Sequence, residues 1–322
     1  VTAVFRVAVL DDYQQVAATM TDWGRLGDDV EVVFFHDHAG TADQVVARVR
    51  GFDAVVAMRE RTAFPREVLA RVPGMRLLVT TGMANAAIDL EAAAELGITV
   101  SGAGGRAGAE ATTELTWGLI FALARHIPAE DAAIRHGGWQ RGIGQVLHGK
   151  VLGIVGLGNL GPRMAPVARA LGMRVIGWSR NLTAERAEEV GIERVAREEL
   201  FSTSDVVTVH LKLGDRSRGY IGRDELRLMK PTALLVNTSR GPVVDEGALI
   251  EALSQRWIAG AALDVYDVEP LPADHPLRHL PGTVLTPHIG YVAVQSYRSW
   301  FEQIVEDIAG FREGRPVRVL TT

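Results

Sequence analysis

The sequence predicts an α/β protein built from two doubly wound parallel sheets. Three observations carry this expectation. Short apolar runs rich in β-branched residues, bounded by Gly, Asp or Pro, alternate with helical patterns over the first hundred residues. The same rhythm restarts at residue 151 and continues to 286. Between the two blocks stands one long, very apolar helical stretch, "AEATTELTWGLIFALARH" (109–126), and no linker.

In the first block, runs 4–10, 30–35, 54–58, 76–80 and 98–101 are expected as strands. Stretches 41–50, 65–71 and 89–96 are expected as helices, the last opening on Asp89, which suits a cap. Residues 102–108 are glycine-rich and predict a loop. Helix 109–126 is too short and too polar at its start to span a membrane, so burial between domains or subunits is expected. In the second block six strands are expected, at 151–155, 175–178, 206–210, 233–237, 260–264 and 283–286. A last helix, 294–310, carries Phe301, Ile304, Val305 and Ile308 at i, i+3, i+4 and i+7, so one face must pack.

Composition narrows the function classes. With 322 residues, 47% hydrophobic and 23% charged, the chain can fill the cores of two domains. A net charge of −5 argues against a nucleic-acid surface. The absence of cysteine rules out disulfides, thiolate nucleophiles and cysteine metal sites, and no metal site is expected. Residues 1–10 show no basic region followed by a long apolar run, and no stretch reaches the roughly 18 apolar residues of a membrane helix. A cytoplasmic protein without membrane contact is the expectation.

The chemistry starts at "VLGIVGLGNLGPR" (151–163), where Gly156, Gly158 and Gly161 spell G-x-G-x-x-G. A buried strand precedes it and a helix follows, with Pro162 near the first turn, where a missing N–H costs little. In that setting the glycines allow a tight turn, close approach of a pyrophosphate, and close helix–strand packing, as in a Rossmann dinucleotide fold. The helix N-terminus, with Asn159 and Leu160, then faces negative charge. The following strand ends in Trp178-Ser179-Arg180. Ser179 stands where an acid would bind the ribose hydroxyls and repel a 2′-phosphate. A hydroxyl and a guanidinium there favour NADP(H) over NAD(H).

Three later segments supply a proton carrier and a cation at strand ends or in the following loops. "VNTSRGP" (236–242) carries Arg240, able to clamp a carboxylate and its neighbouring carbonyl. "ALDVYDVEP" (262–270) carries Asp264 and Glu269. "LTPHIG" (285–290) carries His288. A histidine poised near neutral pH is a natural proton donor and acceptor, and a neighbouring glutamate fixes its tautomer.

The segments "GLGNLG", "NTSRGPVVDE", "ALDVYDVEPLP" and "TPHIG" stand in the order and spacing of the D-isomer-specific 2-hydroxyacid dehydrogenases, and the chain resembles that family over nearly its whole length. The resemblance implies catalytic roles for Arg240, Glu269 and His288 and a nicotinamide-side role for Asp264. The implied cofactor set is Gly156, Gly158, Asn159, Leu160, Gly161, Ser179, Arg180, His210, Thr238, Ser239, Asp264, His288 and Gly290. It also implies a discontinuous, flavodoxin-like substrate domain, 1–101 plus 293–322, and an NAD(P)-binding Rossmann domain, 102–292, that includes helix 109–126. A cleft would lie between them, and the protein would be a homodimer with the long helix in the interface. "VTTGMANAAID" (79–89) is similar to the loop that receives the substrate carboxylate, implicating Thr81, Gly82 and Met83. "MRERT" (58–62) aligns Arg59 with the distal part of the substrate; Arg240, His288 and Tyr291 complete the substrate set.

Two residues depart from the pattern. Lys212 stands where the family often has proline, and Tyr291 where small residues are frequent. Formate dehydrogenases share this fold but usually carry glutamine at the position of Glu269, which disfavours formate. The expected function is NAD(P)-dependent hydride transfer to or from C2 of a small 2-keto or 2-hydroxy acid. Two alternatives stay open: a cofactor-sensing, corepressor-like binding protein, and a reductase of an imine or other non-standard substrate.

Overall fold

The structure is a computed structural model; it describes residues 4–104 and 107–321. The chain forms two compact units, Val1–Ala107 with Val292–Thr322, and Gly108–Tyr291.

The first unit holds β1 (Phe5–Val9), β2 (Val30–Phe34), β3 (Ala54–Ala57), β4 (Leu77–Thr81) and β5 (Thr99–Ala103), all parallel, in the order β2-β1-β3-β4-β5. Alternate residues of a strand point to opposite faces. Ala8, Val55, Ala57, Leu78 and Val100 accordingly join one buried cluster with Val45, Val46 and Val49 of helix Ala42–Val49 and Ala92 and Ala93 of helix Leu90–Glu95. The other parity, Val7, Val9, Val56, Leu77 and Val79, is buried too, which is why these strands read as continuous apolar runs. Thr41 and Gln44 close a capping box on helix Ala42–Val49, and Asp89 caps helix Leu90–Glu95 through Ala92 N–H.

The last helix, Val294–Arg312, packs against β4 and β5. Its stripe of Phe301, Ile304, Val305 and Ile308 is buried, worth about 1.5–3 kcal/mol per side chain. Beyond it the tail pairs antiparallel with β5 through Ser101 and Val319, so the chain end covers a sheet edge.

The second unit holds β6 (Val151–Val155), β7 (Arg174–Trp178), β8 (Glu193–Arg194), β9 (Val206–Val209), β10 (Leu234–Asn237), β11 (Gly260–Leu263) and β12 (Thr283–Leu285), in the order β12-β11-β10-β9-β6-β7-β8. All pairings are parallel. Two clusters share its strands by parity: Leu152, Ile154, Leu234 and Val236 feed one, Val155, Val207, Val209 and Leu235 the other. Strand order reverses between β6 and β9, the switch point at which open α/β sheets bind ligands.

Three local features differ from the sequence expectation. A seventh strand, β8, joins the second sheet. It has two exposed residues and pairs only with β7, so no apolar run announces it. The long helix spans Ala107–Ala124 and gives way to another, Ile127–Arg135, at His126, which takes a left-handed φ of 54°. Gly102 and Ala103, expected in a loop, belong to β5; residues 105 and 106 of that stretch lie outside the described residues. No described helix is long and apolar enough to cross a membrane.

Candidate active site

Because the strands of the second sheet run parallel, their carboxyl ends share one edge. Gly156 follows β6, Ser179 follows β7, His210 follows β9, Thr238–Arg240 follow β10, Asp264 follows β11, and His288 lies three residues beyond β12. The glycine turn is demanded by neighbouring backbone. Gly156 has φ +94°, and a Cβ there would lie 2.8 Å from His210 C and O. A Cβ on Gly161 would overlap Gly156 O, so glycine lets helix Gly161–Ala170 sit down on β6. At Gly158 a Cβ would meet no protein atom within 4 Å. No side chain caps this helix, which leaves its first N–H groups to an anion.

His210, beside the turn, has both ring nitrogens buried and without a hydrogen-bond partner among the described residues. Burial pushes its pKa down to about 4, so the ring is neutral at neutral pH. A bound polar group is the usual answer to such orphaned atoms. The turn, the uncapped helix and this imidazole together fit a dinucleotide. Ser179 is half-buried and Arg180 exposed, with no ion pair to Arg180 among the described residues.

His288 and Glu269 form the central pair. Nδ1 of His288 lies 2.5 Å from Glu269 Oε2. A carboxylate only accepts, so Nδ1 carries the proton and Nε2 is left for another partner. The other carboxylate oxygen of Glu269 accepts from Tyr266 N–H at 2.9 Å. His288 itself has φ +54°, a left-handed backbone that costs a non-glycine residue about 1–2 kcal/mol. Asp264 holds the loop that imposes it. This buried carboxylate accepts from Thr286 Oγ1 at 2.6 Å and from the N–H groups of Ile289 and Gly290, each at 2.8 Å. Burial raises the Asp264 pKa, while these three donors and His288 pull it down. The ring of Tyr291 meets the His288 ring edge-on at 5.7 Å.

Arg240 joins this edge through its neighbours. Asn237 Oδ1 accepts from the N–H and hydroxyl of Ser239, and Asn237 Nδ2 donates to Arg240 O at 2.9 Å. Arg240 Nη1 donates to Ser239 O. A Cβ at Gly241 would overlap Tyr266 C and O, so the loop bearing Arg240 lies directly against the one leading to Glu269. Thr238 bonds Thr116 of the long helix, hydroxyl to hydroxyl, at 2.8 Å. Gly290 O accepts from Thr112 Oγ1 of the same helix.

In the first unit the structure brings Arg59, Thr81 and Gly82 together. Arg59 follows β3 with φ +52°. Its N–H donates to Thr81 Oγ1 at 2.9 Å, and its Nη1 donates to Thr81 O at 3.2 Å. A Cβ at Gly82 would overlap Arg59 Nη1. Met83 is 52% exposed beside them. The Gly82 N–H donates to Ala103 O at 2.5 Å, so that amide is spent within the sheet and not offered to a ligand.

Sequence reasoning did not single out Gly241, Asn237, Tyr266, Thr112, Thr116 or Asn85, whose Nδ2 bonds Arg59 O at 2.7 Å. The one local signal was glycine: Gly241 follows Arg240 at the start of a short 3-10 helix, Gly241–Val243, that does not itself require glycine. No group of three or more His, Asp or Glu residues suited to a metal occurs among the described residues.

Similarity to known proteins follows the same lines. The family model for the D-isomer specific 2-hydroxyacid dehydrogenase, NAD binding domain, matches residues 117–290. A glyoxylate reductase of Aeropyrum pernix is 40% identical over 258 residues, 77% of each chain. A D-3-phosphoglycerate dehydrogenase of Archaeoglobus fulgidus is 35% identical over 278 residues, 86% of this chain and 52% of that one. The crystal structure of a phosphoglycerate oxidoreductase from Vibrio cholerae superposes with a TM-score of 0.91 at 35% identity, covering 96% of this chain and 99% of the other. Agreement of this breadth, in sequence and in fold, makes the chain a member of the D-isomer-specific 2-hydroxyacid dehydrogenase family.

Proposed function

We propose that the protein interconverts a small 2-keto acid and its D-2-hydroxy acid with a nicotinamide cofactor, using His288 as acid and base. The observation that carries this reading is the 2.5 Å His288–Glu269 pair on the sheet edge that also bears the glycine turn. The bound nicotinamide supplies or accepts the hydride. In the reducing direction Nε2 of protonated His288 gives its proton to the oxygen on C2, and in oxidation the neutral ring takes it back. Glu269 holds the ring through Nδ1 and stabilises the imidazolium. Arg240 binds the carboxylate and stabilises negative charge growing on the C2 oxygen, an effect of about 3 kcal/mol in comparable sites.

Substrate contacts from the first unit are assigned to Arg59 and the Thr81–Met83 loop. With Gly82 N–H given to Ala103, the substrate anion is assigned to the guanidinium of Arg59, which also pairs with Glu60 at 3.6 Å, and to the backbone at Met83. The bulk of Tyr291 beside His288 favours a small substrate. The names of the A. pernix and A. fulgidus relatives make glyoxylate and 3-phosphoglycerate the first compounds to assay. NADP(H) is the preferred cofactor on this reading, supported by Ser179 and by Arg180, which has no ion pair among the described residues. A homodimer formed through the long helix and the segment after it agrees with exposed Phe121, Ile127, Ile134, Trp139, Ile143 and Val146.

The test is a panel of glyoxylate, hydroxypyruvate, pyruvate and bulkier keto acids, each with NADH and NADPH, together with 3-phosphoglycerate and the oxidised cofactors. Turnover of a small keto acid is expected. Cofactor binding without turnover of any of them would overturn the reading in favour of a sensor.

A further inference from the structure

Lysine is rare in this chain: only Lys150, Lys212 and Lys230 occur among the 34 basic residues. Lys150 and Lys230 both pair with Asp205, at 3.6 and 3.1 Å. Lys212 is exposed and makes no ion pair among the described residues. Its place is specific. It is the third residue after β9, the neighbour of β6 across the switch point. The start of that loop presses on the glycine turn, since a Cβ on Gly156 would lie 2.8 Å from His210 C and 2.9 Å from Leu211 Cδ2. The backbone is pinned as well: Ser217 Oγ donates to Lys212 O at 2.7 Å and accepts from Gly214 N–H at 2.9 Å. Asp215, three residues on, is exposed and forms no ion pair with it. Arg180 stands after β7 on the other side of β6. Strands two apart lie about 10 Å from each other, a gap two long cationic side chains can close on one phosphate.

From this placement we infer that Lys212 is a second specificity-determining cation for the 2′-phosphate of NADP(H), acting with Arg180 across the glycine turn. The inference rests on the cofactor reading above and deepens it. Arg180 offers a fixed fork and Lys212 a mobile point charge. One such charge-assisted contact is worth about tenfold or more in affinity.

The test is equilibrium binding, followed by quenching of protein fluorescence, with NADPH, NADH, 2′,5′-ADP and 5′-AMP. Wild type, Lys212→Ala, Lys212→Arg and Arg180→Ala are compared. Lys212→Ala is expected to weaken NADPH and 2′,5′-ADP about tenfold, leave NADH and 5′-AMP unchanged, and be restored by Lys212→Arg. Equal weakening of all four ligands would assign Lys212 to the pyrophosphate or the fold and overturn the inference. Selective loss in Arg180→Ala alone would overturn it while keeping the cofactor reading. Loss in neither variant, or tighter binding of NADH than NADPH by wild type, would overturn both.

Discussion

Each unit of this protein holds one non-glycine candidate site residue in a left-handed backbone, Arg59 in the first and His288 in the second, at φ +52° and +54°. The supports differ. The Arg59 turn is held by neutral partners: its N–H goes to Thr81 Oγ1, and its carbonyl accepts from Asn85. The His288 turn is held by a buried carboxylate, Asp264, that gathers a hydroxyl and two backbone N–H groups. Burying a carboxylate is costly unless several donors meet it. A charged acceptor binds its donors about twice as strongly as a neutral one. The loop that fixes the His288 ring is thus held more tightly than the loop that carries Arg59.

The largest expected effect is at His288 itself. His288→Ala should lower kcat by about 10²–10⁴-fold and change NADPH affinity far less. Arg59→Ala should act mainly on KM. Steady-state kinetics with fluorescence titration separates the two, and a His288→Ala enzyme with near-wild-type turnover ends the proposed mechanism.

Next comes Asp264→Asn, which turns an amide NH2 toward at least one of three donors. It should destabilise the second unit by about 3 kcal/mol, read from urea midpoints at constant m. Thr81→Val removes one neutral acceptor and should cost about 1 kcal/mol. Equal costs for the two would mean that the charge of Asp264 adds nothing, and the contrast between the turns would collapse.

A pH dependence completes the set. His210 has a folded pKa of about 4, below the ordinary value of 6.5. Between these values the unfolded chain binds the extra proton and the native ring does not. Stability is therefore full above pH 6.5 and is lost as the pH falls toward 4. In His210→Gln that part of the acid slope should vanish, measured by urea midpoints across pH 4–7. An unchanged slope would mean that His210 is not buried neutral.

Much of this was legible in the residues. Parallel strands buried on both faces must be apolar at both parities, and the runs around 54–57, 77–81 and 206–209 say so directly. The glycine turn was legible because only glycine meets two demands visible in a strand–turn–helix pattern. Arg240, Glu269 and His288 stood out because each follows a strand, and parallel strands put such residues on one edge. β8 was not legible, because two exposed residues leave no period to read. The break at His126 is set by backbone conformation in a stretch that stays helical in pattern on both sides.

The sequence by itself determined the two parallel sheets, the glycine turn between strand and helix and the set of strand-end residues, because each rests on spacing within a short stretch of chain. Only the tertiary structure decided how those residues are held. Asp264 became the anchor of the His288 loop, Gly241 the place where two loops touch, and the Gly82 amide a partner of Ala103 instead of a ligand. These are contacts between residues about 20 or more apart, or between neighbouring loops. No local period encodes them, and they form only when the sheets close and every buried donor must find an acceptor.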